Sequence, residues 1–112
     1  MTGFSPAVCA IIDARSGGYC EACGARRAVE RHHRRPRQQG GSKRSDTNLA
    51  SNGLALCRHC HHVNIENNRA FAFLVGWLLP QGASPSEHRV LYRGDWKMLG
   101  DDGSVVPWQV AA

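Results

Sequence analysis

Four of the five cysteines in this 112-residue chain fall into two Cys-x-x-Cys pairs, Cys20/Cys23 and Cys57/Cys60, separated by 33 residues. No other feature limits the fold as strongly. Zinc takes four ligands in a tetrahedron, and thiolates suit it well. A two-residue spacer turns both sulfurs of a pair toward one ion, and two pairs complete the shell. Such an ion has no open position and is structural. It closes residues 24–56 into a loop and stabilises a small chain whose 12 glycines and 5 prolines make it loop-rich. A redox role fits poorly, because there are two pairs and neither sits in a strand-to-helix context. The unpaired Cys9 is read as a small core residue.

Around this staple the chain reads as one α+β domain over residues 1–112. Ser5-Pro6 opens a helix, Ala7, Val8, Ile11 and Ile12 give its apolar stripe, and Gly17-Gly18 ends it, so residues 1–18 are an N-terminal helical unit. Residues 19–69 hold both knuckles, a strand over 28–33, a polar loop over 34–46, a second strand over 54–56 and a helix from His61. Residues 70–79 suggest a packing helix, and 70–112 end in a hairpin or meander with strands near 89–92, 95–99 and 104–106. The turns are Arg93-Gly94-Asp95 and Asp101-Asp102-Gly103. The ten-residue apolar run at 70–79 is half a membrane span, and no membrane partner is expected. Residues 1–14 lack a secretory pattern, which favours metal ligation over disulfides.

Histidines concentrate beside the knuckles: His32-His33 end the first strand, and His61 follows Cys60 directly. Two imidazoles, from His32 and His61, would bind a divalent ion and leave positions for water and phosphate oxygens. His33 points to the other face of the strand's pleat, free to take a proton from water, work that suits a group titrating near neutrality. Asn48 can tie the loop or orient His33. Eight of the fourteen Lys and Arg residues lie within 26–44 against one acid, Glu30, so the net charge of +5 is local. Arg31, Arg34, Arg35, Arg37, Lys43 and Arg44 are the candidates for phosphate contact. No aromatic residue interleaves with them, which points to backbone binding with low sequence preference rather than base stacking.

The segments His33-Arg-Arg-Pro-Arg-Gln-Gln-Gly-Gly41, Asn48-Leu49, Leu56-Cys57-x-x-Cys60-His61 and Cys20-Glu-Ala-Cys23-Gly24 resemble the zinc-knuckle branch of the HNH endonucleases, found in phages and bacterial mobile elements. The resemblance spans Cys20 to about Ile65. It implies a ββα-metal (HNH/His-Me finger) fold with flanking helices and a C-terminal β-hairpin. It also implies His33 as general base, Asn48 as the middle Asn, His32 and His61 as ligands of a catalytic ion, and Cys20, Cys23, Cys57 and Cys60 on structural Zn²⁺. His32 stands where the family often has Asp, which favours Mn²⁺, Ni²⁺ or Zn²⁺ over Mg²⁺. The function implied is metal-dependent hydrolysis of DNA, double-stranded, with an association with phage packaging and a partner such as a terminase. The location implied is the cytoplasm, that of a bacterial host for a phage-encoded chain. The alternative is a non-catalytic, zinc-stabilised DNA-binding or docking module.

Overall fold

A computed structural model describes residues 3–37 and 44–109. Its elements in order are helix α1 (Pro6–Ser16), strand β1 (Glu30–His33), a 3₁₀ turn (Ala50–Asn52), strand β2 (Gly53–Leu56), a π-helix (Cys60–Glu66), helix α2 (Arg69–Leu74), a second 3₁₀ turn (Pro85–Glu87), and strands β3 (Val90–Tyr92), β4 (Asp95–Leu99) and β5 (Val105–Pro107). Helix α1 begins and ends as its sequence dictates. The Ser5 hydroxyl accepts from Val8 N at 3.2 Å, Pro6 takes the first turn, and Gly17 closes the helix in the left-handed region at φ 63°.

Strands β1 and β2 pair antiparallel, with Glu30 opposite Leu56, Arg31 opposite Ala55, His32 opposite Leu54 and His33 opposite Gly53. All of β2 is buried, because each face meets a different core. Leu54 and Leu56 enter the main cluster with Ile65, Ala72, Trp77, Leu78, Val90 and Leu99. Ala55 faces a smaller cluster under α1 with Ile12 and Ala50, joined by Phe4 and Val8. Gly53 must stay small on that side, since a Cβ there would lie 2.4 Å from Ile12 Cδ1. The alternation of a strand thus sorts β1 as well: Glu30 and His32 face the main core, Arg31 and His33 face α1.

A buried ion pair fastens α1 to the first knuckle. Arg15 grips both carboxylate oxygens of Glu21 at 2.6 and 2.8 Å and also donates to Ala50 O and Gly53 O, while Glu21 accepts from Ala55 N. Every charge-bearing atom is matched, as burial of such a pair requires.

The C-terminal strands form a three-stranded antiparallel meander, one strand more than a hairpin. Its β3–β4 turn is a two-residue loop with Arg93 at φ 51° and Gly94 at φ 89°, the primed geometry that matches strand twist. The Arg93 side chain reaches back to Ser16 O, Tyr19 O and Cys20 O, so the meander buttresses the knuckle. The helix expected over 70–79 is shorter: α2 stops at Leu74 and Gly76 turns left-handed at φ 78°. A side chain at 76 would strike Arg89 O at 2.2 Å, so the chain bends there and 75–79 run buried beneath β3. Among the described residues no helix is long and apolar enough to cross a membrane.

Candidate metal and catalytic site

The four knuckle cysteines converge. Their sulfurs all lie within 4.8 Å of one another, and Cys23 and Cys57 stand 4.0 Å apart. A tetrahedron with Zn–S near ~2.3 Å needs S···S of about 3.8 Å, so the donor set and its spacing fit zinc. Backbone N–H groups already point at the sulfurs, Cys23 N at Cys20 and Cys60 N at Cys57, and Asn64 Nδ2 donates to Cys60. Burial pushes the Cys20 and Cys60 thiols up. At Cys23 burial is outweighed by hydrogen bonds from Ala25 and Arg26 and from its neighbouring thiols, which bring it down to about 7. Zinc would complete what the amides begin, stabilising the remaining thiolates.

Two strand faces separate the histidines of β1. His33 lies under α1, where Phe4 stacks on its ring with centroids 4.0 Å apart and planes 9° from parallel. Its Nε2 donates to Asn48 Oδ1 at 2.7 Å. An amide oxygen only accepts, so the proton sits on Nε2 and the Nδ1 lone pair is left to receive another. Burial lowers the His33 pKa; Asn48 opposes the shift and Arg37 adds to it. The outcome is a neutral imidazole at physiological pH, the form a base requires.

His32 faces the main core. It is buried, its Nε2 donates to Trp77 O at 2.7 Å, and its ring meets that of His61 edge to face at 5.0 Å. Burial, against the pull of the Trp77 carbonyl and aided by His61, His33 and Arg34, pushes its pKa down to about 4.

His61 turns elsewhere as well. Its Nδ1 donates to Glu30 Oε1 at 3.1 Å, and His62 Nε2 approaches the same oxygen at 2.9 Å. His62 Nδ1 faces Glu66 at 3.2 Å. Both histidines lie in the first turn of the π-helix, and their rings, with centroids 4.8 Å apart, meet at the Glu30 carboxylate of β1. Hydrogen bonds to Glu66 and Glu30 raise the His62 pKa; burial of Glu30 is outweighed by its two histidine partners, and its pKa falls. Glu30, His61 and His62 form the second group able to hold a metal among the described residues. Neither Glu30 nor His62 is among the ligands expected from the sequence. Glu30 was findable, because it lies two residues before His32 on the same strand face; the wide helical turn that recruits His62 has no sequence signature. Phe4 carried no signal either.

The basic segment needs correction. Arg34 and Arg35, expected at a nucleic-acid surface, are fully buried. Arg34 donates to the carbonyls of Ser51, Gly76, Pro85, His88 and Arg89. Arg35 binds Ala83 O, Thr47 Oγ1 and Asp46 Oδ1, the last at 2.5 Å. These carbonyls come from irregular segments with no ladder partner, and a five-donor guanidinium satisfies them where no other side chain could. Arg31, Arg37 and Arg44 stay exposed. Arg31 pairs with Asp13, and Arg44 with Asp46 and Gln81 O. Arg26, Arg27 and Arg58, on the knuckles, are exposed too. Lys43 lies outside the described residues.

Residues 20–65 match the family model described as HNH endonuclease. Comparison with curated proteins and with solved structures finds no match.

Proposed function

Starting from that HNH endonuclease match over residues 20–65, we propose that the chain is a metal-dependent nuclease that hydrolyses DNA phosphodiester bonds. The observation that carries the reading is the His33–Asn48 pair at 2.7 Å, a half-buried, neutral imidazole with one nitrogen fixed by the amide, one residue from His32 and its neighbour His61. In this reading residues 30–66 are the ββα-metal core, and the four-cysteine zinc holds its two ends together.

His33 takes a proton from a water molecule through Nδ1, and the hydroxide attacks the phosphorus in line. Asn48 keeps the ring oriented through Nε2, and Phe4 shields one face of the imidazole from solvent. His61, with His32 as the partner implied by the sequence pattern, would hold a divalent ion, which would supply Lewis-acid stabilisation of charge on the phosphate oxygens. Arg31, Arg37 and Arg44, with Lys43, hold the flanking backbone of double-stranded DNA with little sequence preference. The products carry 5′-phosphate and 3′-hydroxyl ends, and association with a phage packaging machine remains part of the proposal.

The test is supercoiled plasmid incubated with zinc-loaded protein and Mg²⁺, Mn²⁺ or Ni²⁺, with and without a chelator of the added ion. The expected result is ion-dependent relaxed or linear product with ligatable ends. Binding without cleavage under every ion would favour the docking module instead.

A further inference from the structure

The divalent ion proposed above need not sit where the sequence pattern places it. His32 is buried and spends Nε2 on Trp77 O, and its remaining nitrogen joins no group of converging ligands among the described residues. Glu30, His61 and His62 do converge. One carboxylate oxygen of Glu30 lies 3.1 Å from His61 Nδ1 and 2.9 Å from His62 Nε2, and one ligand atom of each residue falls within 4.8 Å of the others. Side-chain exposures of 33% for Glu30, 19% for His61 and 42% for His62 leave the group open to ions from solution. The separations are those of hydrogen bonds to one carboxylate, which bonds to an ion would replace.

We infer that in this chain the divalent ion is held by Glu30, His61 and His62, with His32 packed behind His61 as a positioning residue. Two imidazoles and one carboxylate on one side of an ion suit Mn²⁺, Fe²⁺, Co²⁺, Ni²⁺ or Zn²⁺ and leave positions for water and phosphate oxygens. The carboxylate restores the negative charge that an Asp at position 32 would have brought. Strand β1 supplies Glu30 because its side chain shares a face with His32, and the first turn of the π-helix supplies both histidines, whose rings meet at that carboxylate. The inference rests on the nuclease reading for the ion's role, but the site is defined by binding alone.

The experiment is calorimetric titration of Ni²⁺ into the full chain with zinc already loaded in the cysteine site, near neutral pH. Circular dichroism and zinc content confirm the fold of each variant. His62→Ala and Glu30→Gln are each expected to weaken Ni²⁺ binding at least tenfold, and His33→Ala to leave it unchanged. His62 is exposed enough that its replacement leaves the core intact. Unchanged affinity in folded His62→Ala overturns the site, as does loss of Ni²⁺ binding in folded His32→Ala alone. Ni²⁺ binding that follows this pattern while plasmid stays uncut with every ion would retain the site and sink the nuclease reading.

Discussion

His33 owes its chemistry to two neighbours far apart in the chain. Phe4 covers its ring and contributes to the burial that lowers its pKa, while Asn48 pulls the other way. The acidic limb of the cleavage pH profile is therefore expected below ~6.5, the ordinary imidazole value. Phe4→Ala should move that limb upward, because re-solvation favours the cation. Asn48→Ala should move it down and cut the rate as the ring loses its orientation. A limb that stays put in Phe4→Ala would show that the stack does not set the base. The contact between His33 and Asn48 was legible from the sequence, which had Asn48 orienting His33, and the two side chains meet at 2.7 Å. Phe4 was not, since its stack with His33 arises only when α1 docks on β2. The same limit explains Arg34: a cation beside the paired histidines looks like a phosphate ligand until its five carbonyl partners are in place.

At the scale of elements, Arg34 and Gly76 join the strand of the site to the C-terminal meander. Gly76 O accepts from Arg34 Nε at 2.8 Å, and the left-handed turn at Gly76 brings 75–79 under β3. Arg34→Met strips buried carbonyls of their donor and is expected to cost about 3 kcal/mol or more in urea denaturation, with DNA affinity of the folded fraction unchanged. Arg37→Ala, by contrast, should weaken DNA binding with a shallower salt slope. Wild-type stability with lost DNA binding in Arg34→Met would return that residue to the surface role. Capping and turn chemistry made α1 and the β3–β4 turn readable in advance. The early end of α2 was only half readable: Gly76 was visible, but the demand that it approach Arg89 O is tertiary.

For the whole molecule, the zinc site and the main core are one structure. Cys20, Cys57 and Cys60 belong to the same buried cluster as Leu56, Trp77 and Leu99, so loss of an ion held by the cysteines would open the core as well as the knuckles. Structural zinc contributes on the order of 10–16 kcal/mol, at least the whole stability of a typical domain at about 5–15 kcal/mol. Chelation is expected to abolish cooperative thermal unfolding, and Zn²⁺ to restore it. Because the cysteine thiols must shed their protons to bind, zinc affinity should fall with acidification. An apo chain melting at the wild-type temperature would make the cluster ornamental. The positive charge is less available than the composition suggests, since Arg15, Arg34 and Arg35 are spent inside the fold.

The proposed nuclease reading rests most heavily on His33 as its base. The most direct test compares wild type and His33→Ala, both zinc-loaded and equally folded, on supercoiled plasmid with the divalent ion that best supports cleavage. The account predicts a rate loss of about 10²–10⁴-fold in His33→Ala, with Ni²⁺ and DNA binding retained. Cleavage by His33→Ala at the wild-type rate would contradict it.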